Sequence, residues 1–126
     1  AGASGNAGLP IVNASSTAEI ELAKHLKDVG ARMYSAYWCP HCHDQKELFG
    51  KEATAILPYV ECAPDGQKSQ TALCQEMAPK IEKATGQAFG FPTWEINGKY
   101  YSGTQSLSDL ATYSGYKGPQ NFVNGS

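Results

Sequence analysis

Apolar positions recur along the chain at two different spacings, and together they predict helices interleaved with strands. Ile20, Leu22, Ala23, Leu26 and Val29 include helical spacings behind Ser16 and Glu19, which are placed to form a capping box, and Gly30 ends the run. This predicts an amphipathic helix of about 13 residues, in which His25 reads as a solvated or core-edge histidine. Ala31 to Tyr37 reads as a strand. A second helix is predicted from Pro40 to Leu57, with Leu48, Phe49, Ala53, Ile56 and Leu57 on its inner face and Pro58 as its stop. Tyr59 to Cys62 forms a short strand, parallel to the first if the intervening helix is a right-handed crossover.

The second half continues the same grammar. Ala63 to Ser69, with Pro64-Asp65-Gly66, is turn chemistry. Leu73, Met77 and Ile81 lie on a helical stripe that Pro79 interrupts, which predicts two short helices or one kinked helix ending at Gly86. Phe91 to Ile96, the pair Asn97-Gly98 and Lys99 to Ser102 form the strongest hairpin signal in the chain, and Pro92 stands where its first strand begins. Ser106 and Asp109 can cap a last helix with Leu107, Leu110 and Ala111 inward and Gly115 at its end. Helix, strand, helix, strand and hairpin in this order indicate an α/β fold, a central mixed sheet flanked by helices. The expected organisation is a flexible leader over residues 1–15, a folded domain over 16–115 and a loose tail over 116–126. Asn13-Ala14-Ser15 matches a glycosylation sequon, a pattern common by chance.

Composition narrows the class. At 126 residues, with 41% hydrophobic and 17% charged residues, the chain has the length and make-up of one globular domain with a real core. A net charge of −2 gives no footprint for nucleic acid, and no run approaches the roughly 18 apolar residues of a membrane span. The chain starts at Ala1 without a signal-like segment, as expected of a mature or excised form whose address, and any membrane tether, has been removed. Four cysteines, two of them outside the short-spaced pair, favour an oxidising compartment such as periplasm or an equivalent lumen over the cytosol.

The chemistry is expected at Cys39-Pro40-His41-Cys42, where a buried strand turns into a helix. Cys39 then lies at or next to the N-cap and Pro40 at the first helical position, where the missing N–H costs the helix nothing. Free backbone N–H groups and the helix dipole favour an anion there, so Cys39 is the expected attacking thiol, and His41 can add a positive charge or a hydrogen bond. Cys42, one turn on and more buried, is the expected resolving thiol. The same spacing is half of many zinc sites, with His41 and His43 adjacent. A closed zinc shell needs four ligands, usually from a second knuckle, whereas Cys62 and Cys74 stand twelve positions apart. A redox pair is therefore preferred to a metal site or an inert pair. Cys74 can reach back to Cys62 across the turn, and a structural disulfide, contributing about 3 kcal/mol in the chain-entropy account, is preferred there to a second redox-active pair.

With the strand, the Trp-Cys-Pro-His-Cys turn, the Phe-Pro-Thr strand start and the hairpin in this order, the chain resembles the thioredoxin superfamily over about residues 17–115. The resemblance implies a thioredoxin-like fold in which Pro92 is cis and lies against the cysteine pair. It also implies that Phe91, Pro92 and Thr93, with Trp38, receive substrate in an extended form. The runs YWCPHCHDQKELFGKEA, YVECAPDG and FPTWEINGKYYSG are similar to those of the thioredoxin-like domain fused to vitamin K epoxide reductase homologues in cyanobacteria and plants. That group carries a second disulfide, which the positions of Cys62 and Cys74 match. In it the domain faces the periplasm or thylakoid lumen and passes oxidising equivalents from a membrane-embedded, quinone-linked enzyme to substrate proteins.

The resemblance also bears on direction. Cys-Pro-His-Cys is the motif of DsbA-type oxidants, and a stabilised Cys39 thiolate makes the disulfide a stronger oxidant. Met33 occupies the position where thioredoxins and those oxidants carry a buried acid, so deprotonation of Cys42 is expected to rely on water or substrate. The expected function is a thiol-disulfide oxidoreductase that promotes disulfide formation in substrate proteins. It would need no cofactor beyond its own redox-active disulfide and no metal, and a membrane partner of the vitamin K epoxide reductase type would reoxidise it. A reductase or isomerase of the same fold, a zinc-binding interaction module and a non-catalytic peptide-binding domain are the alternatives.

Overall fold

The computed structural model describes residues 5–124; residues 1–4 and 125–126, the ends of the expected leader and tail, lie outside the described residues. Helix α1 (Thr17–Asp28) starts on the capping box, with the Glu19 carboxylate accepting from the Ser16 N–H at 2.6 Å. It buries Leu22, Ala23 and Leu26. Strand β1 (Arg32–Ser35), shorter than its apolar run, feeds α2 (Pro40–Phe49). After α3 (Lys51–Thr54) come β2 (Tyr59–Glu61), α4 (Thr71–Thr85), β3 (Thr93–Ile96), β4 (Lys99–Ser102) and α5 (Leu107–Ser114).

The four strands form one mixed sheet in the order β2-β1-β3-β4, with β1 parallel to β2 and antiparallel to β3, and β3 antiparallel to β4. With helices on both faces, this is a thioredoxin-like arrangement. Asn97 and Gly98 both take positive φ, 52° and 78°, as the tight turn of the β3–β4 hairpin demands. Because side chains alternate across a strand, β1 sends Met33 to the face covered by α1, α2, α3 and α5 and Tyr34 to the face covered by α4. The first face carries the main core, including Leu22, Leu26, Phe49, Trp94, Ile96, Leu107 and Leu110. The second is a smaller cluster of Tyr34, Val60, Met77 and Ile81 around Cys62 and Cys74.

Two helical expectations are corrected. The helix expected from Pro40 to Leu57 breaks at Gly50, whose φ of 88° is left-handed. The leader fills the break: Ser15 Oγ donates to the Phe49 carbonyl at 2.7 Å and accepts from the Ala53 N–H at 2.9 Å, while Lys51 N–H donates to the Asn13 carbonyl at 2.8 Å. Thus one residue caps both the end of α2 and the start of α3, and a Cβ on residue 50 would lie 2.5 Å from that same Ser15 Oγ. Conversely, Pro79 does not divide α4, which runs unbroken to its left-handed cap at Gly86. Pro79 and Gln75, one turn earlier, are both exposed, so the carbonyl that loses its partner can turn to water.

Where the sequence reads as flexible leader and loose tail, the described portions are tied to the domain by hydrogen bonds. Asn6 forms a parallel bridge with Gly66, and Val12 and Asn13 N–H groups donate to the Glu47 carboxylate at 3.0 and 2.9 Å. In the tail Tyr116 is buried, and the Val123 N–H donates to the Glu19 carboxylate at 2.6 Å.

Candidate active site

Helix α2 is placed so that its first turn opens beside the β3 end of the sheet. Cys39 is its N-cap in an extended conformation and Pro40 is the first helical residue, so the backbone N–H groups of the first turn lack intrahelical partners. Cys39 and Cys42 are both free thiols, 6% and 1% exposed. Cys39 Sγ lies 3.5 Å from the Phe91 carbonyl oxygen, and the Phe91–Pro92 bond is cis. Thr93 is buried and its hydroxyl donates to the Gly90 carbonyl at 2.7 Å. Trp38 stands 59% exposed, with its ring edge-on to Phe91 at 6.0 Å between centroids. The structure therefore brings the Phe91–Pro92 bond to the Cys39 sulfur, with the Trp38 ring against Phe91 and Thr93 next along the chain. An open cleft of about 340 Å³ lined by Gly8, Leu9, Tyr37, Trp38, Pro40 and His43 reaches Cys39 from the leader side.

His41 is arranged differently. Its ring is largely exposed and Nδ1 lies 3.8 Å from Asp44, while its backbone carbonyl accepts from Thr104 Oγ1 at 3.0 Å. His43 faces the Glu47 carboxylate at 3.5 Å and the Pro10 carbonyl at 3.3 Å. Among the described residues no three His, Cys, Asp or Glu side chains gather as a metal shell would require. A wider cleft of about 620 Å³, lined by residues of α4 and the β3–β4 hairpin including Thr85, Lys99 and Tyr100, contains neither cysteine pair.

Burial pushes the Cys42 thiol up to about 12, and the neighbouring Cys39 adds to this; the Ser35 hydroxyl and the Ala36 N–H work in the opposite direction. The surroundings of Cys42 also contain residues that the sequence reading missed. Gln45, fully buried on α2, accepts from Trp94 Nε1 at 3.0 Å and from the Gln105 N–H at 2.8 Å, and donates to the Gln105 carbonyl at 3.0 Å. It pins α2 to β3 and to the loop before α5. Glu61, only 4% exposed, accepts from Tyr37 N–H, Ala63 N–H and the Tyr59 hydroxyl at 3.1, 3.1 and 2.9 Å. Lys46 sets its ammonium 4.1 Å from the centre of the Tyr59 ring. The available signal was the alternation Tyr59, Glu61 on a strand beside an inward polar position three residues after Cys42.

Cys62 and Cys74 are joined by a disulfide with Cα atoms 5.7 Å apart. It lies on the opposite face of the sheet from the free pair, enclosed by Tyr34, Val60, Met77 and Ile81.

No protein-family model matches the chain. It is 50% identical over 108 residues to the thiol-disulfide oxidoreductase LTO1 of Arabidopsis thaliana, a match that covers 84% of this chain and 27% of that protein. The chain thus spans about a quarter of the length of this curated relative, and the likeness includes the stretch that carries both cysteine pairs.

Proposed function

We propose that the chain is a thiol-disulfide oxidoreductase module in which Cys39 exchanges with substrate sulfur and Cys42 resolves the mixed disulfide. The observation that carries this reading is the position of Cys39, an N-cap thiol at the start of α2 with its sulfur 3.5 Å from the carbonyl beside Pro92. An anion at that place is stabilised by free N–H groups and the helix dipole. An extended substrate segment laid along Phe91, Pro92 and Thr93 would bring its own sulfur to Cys39. The name of the half-identical relative, a thiol-disulfide oxidoreductase, supports the same chemistry.

The reading extends to direction and place. The module acts as an oxidant of substrate thiols: a substrate thiolate attacks Cys39 in the Cys39–Cys42 disulfide, Cys42 leaves, and a second substrate thiolate releases the product disulfide. A membrane oxidoreductase of the vitamin K epoxide reductase type reoxidises the pair, in the periplasm or thylakoid lumen. The Pro-His dipeptide between the cysteines supports the oxidising direction, and the second disulfide supports an oxidising compartment.

Thiol oxidation of a reduced model protein with oxidised glutathione as the terminal oxidant, followed by mass under acid quench, tests the assignment. Cys39→Ser abolishes turnover and forms no mixed disulfide, whereas Cys42→Ser accumulates a mixed disulfide at Cys39. Full turnover by Cys39→Ser would sink the proposal.

A further inference from the structure

The exchange site is assembled from two parts of the chain. Cys39 opens α2, whereas Phe91 and Pro92 lead into β3. A thiol is a weak donor, so the 3.5 Å contact from Cys39 Sγ to the Phe91 carbonyl does not by itself hold the two parts in place. The loop between β4 and α5 bonds to both. Gly103, left-handed at a φ of 88°, donates its N–H to the Pro92 carbonyl at 2.8 Å. Thr104 donates its hydroxyl at 3.0 Å to the carbonyl of His41, the residue just before Cys42. Gln105 gives its N–H to Gln45 Oε1 at 2.8 Å, and its carbonyl accepts from Gln45 Nε2 at 3.0 Å. The Gln105 side chain folds back onto the Ser102 and Gly103 carbonyls at 2.9 and 3.3 Å, which closes the loop on itself.

Three consecutive residues thus tie the Pro92 backbone to α2 at His41 and again at Gln45. The second anchor is itself fixed: Gln45 is fully buried, and its Oε1 also accepts from Trp94 Nε1 on β3 at 3.0 Å. Removing the carboxamide would leave both the Trp94 and the Gln105 N–H without their acceptor. Thr104 is different. It is exposed, so water competes for its hydroxyl and the bond adds little to the stability of the fold. What the bond fixes is the position of the His41 carbonyl, and with it the turn that carries both thiols.

We propose that the Gly103–Gln105 loop, locked to α2 through Thr104 and Gln45, presets the spacing between Cys39 and the Phe91–Thr93 backbone and thereby makes the site selective for extended polypeptides over small disulfides or thiols. The proposal rests on the thiol-disulfide reading above and adds Thr104 and Gln45 to it as positioning residues, which act through backbone atoms. An extended segment laid along Phe91 to Thr93 meets Cys39 at a distance already set, so less of its binding is spent on ordering the site. A small disulfide that reaches Cys39 without lying on that backbone gains nothing from the preset spacing.

The test compares two probes on the reduced full chain: hydroxyethyl disulfide, and the disulfide-linked dimer of a short extended peptide with one central cysteine. In each case the Cys39 thiolate attacks one probe sulfur and the other leaves as a thiolate, and acid quench followed by mass gives the rate. The quantity read is the peptide rate divided by the hydroxyethyl rate. Thr104→Val is expected to lower this ratio about fivefold, the effect of losing one hydrogen bond, and Thr104→Ser to restore it. Gln45→Met, which removes three bonds, should lower it by more than about tenfold. A general loss of folded protein slows both probes alike and leaves the ratio where it was. The Thr104 pair decides the matter if Gln45→Met does not fold. A wild-type ratio in Thr104→Val, or a ratio in Thr104→Ser as low as in Thr104→Val, would overturn the positioning role while leaving the exchange reaction intact. Absence of any adduct at Cys39 of the wild type with either probe would instead overturn the thiol-disulfide reading, and this proposal with it.

Discussion

The two cysteine pairs sit on opposite faces of one sheet and are almost equally hidden from solvent, with Cys39 and Cys42 at 6% and 1% exposure and Cys62 and Cys74 at 7% and 5%. Exposure therefore does not distinguish them; their surroundings do. Cys39 stands on a helix N-terminus, beside an open cleft and 3.5 Å from a backbone carbonyl, and the Ser35 hydroxyl and the Ala36 N–H lie by Cys42. Cys62 and Cys74 are enclosed by Tyr34, Val60, Met77 and Ile81 and join β2's end to the first turn of α4. The lesson is that thiol chemistry follows from local donors, charge and access to a partner, whereas the same burial in an apolar shell makes a covalent staple.

The largest effect expected from breaking this contrast is on stability. Replacing Cys62 and Cys74 together with Ala removes a cross-link over a twelve-residue separation and should cost about 3 kcal/mol, lowering the melting temperature by roughly 10 °C. Thiol exchange at Cys39 should persist at temperatures where the variant is folded. Thermal melts paired with the glutathione assay check both halves, and loss of exchange in the folded variant would erase the division of labour.

A smaller effect sharpens the contrast on the other side. The reduced Cys42 thiol has its pKa raised above the ordinary thiol range, burial being the first cause. A group raised in this way contributes stability that is fully present below its unfolded value and is lost as pH climbs through the folded one. The reduced protein should therefore lose stability between the ordinary thiol range and about pH 12, and the form with Cys39 and Cys42 joined should lack this contribution. Denaturant melts of both forms across that range measure the difference, and parallel curves would contradict it. Alkylation of the reduced protein near neutral pH should mark Cys39 well before Cys42.

Much of the frame was legible because its signals are local. The capping box at Ser16 and Glu19, the Asn97-Gly98 turn and the Pro40 helix start each fix backbone geometry within a few residues. The break at Gly50 was not legible: a glycine inside a helical stripe is often tolerated, and what enforces the break is Ser15, 35 residues earlier in the chain. Pro79 misled in the opposite sense, because its cost depends on which face of the helix meets solvent. Around Cys42 the sequence displayed the sulfur but not its neighbours. Ser35 and Ala36 come to lie by Cys42 only once β1 has packed beneath α2.

The most direct test is to equilibrate the chain in glutathione buffers of graded potential and to read each cysteine pair separately by alkylation and mass. If the two pairs divide the work as described, Cys39–Cys42 titrates as one two-electron couple well above the about −270 mV of thioredoxin, toward the roughly −120 mV of a strong oxidant. Cys62–Cys74 stays closed throughout, as a structural disulfide with a potential below about −300 mV does. A Cys39–Cys42 couple at or below thioredoxin's value would make the module a reductase, and a Cys62–Cys74 bond that opens in the same range as Cys39–Cys42 would contradict the division itself.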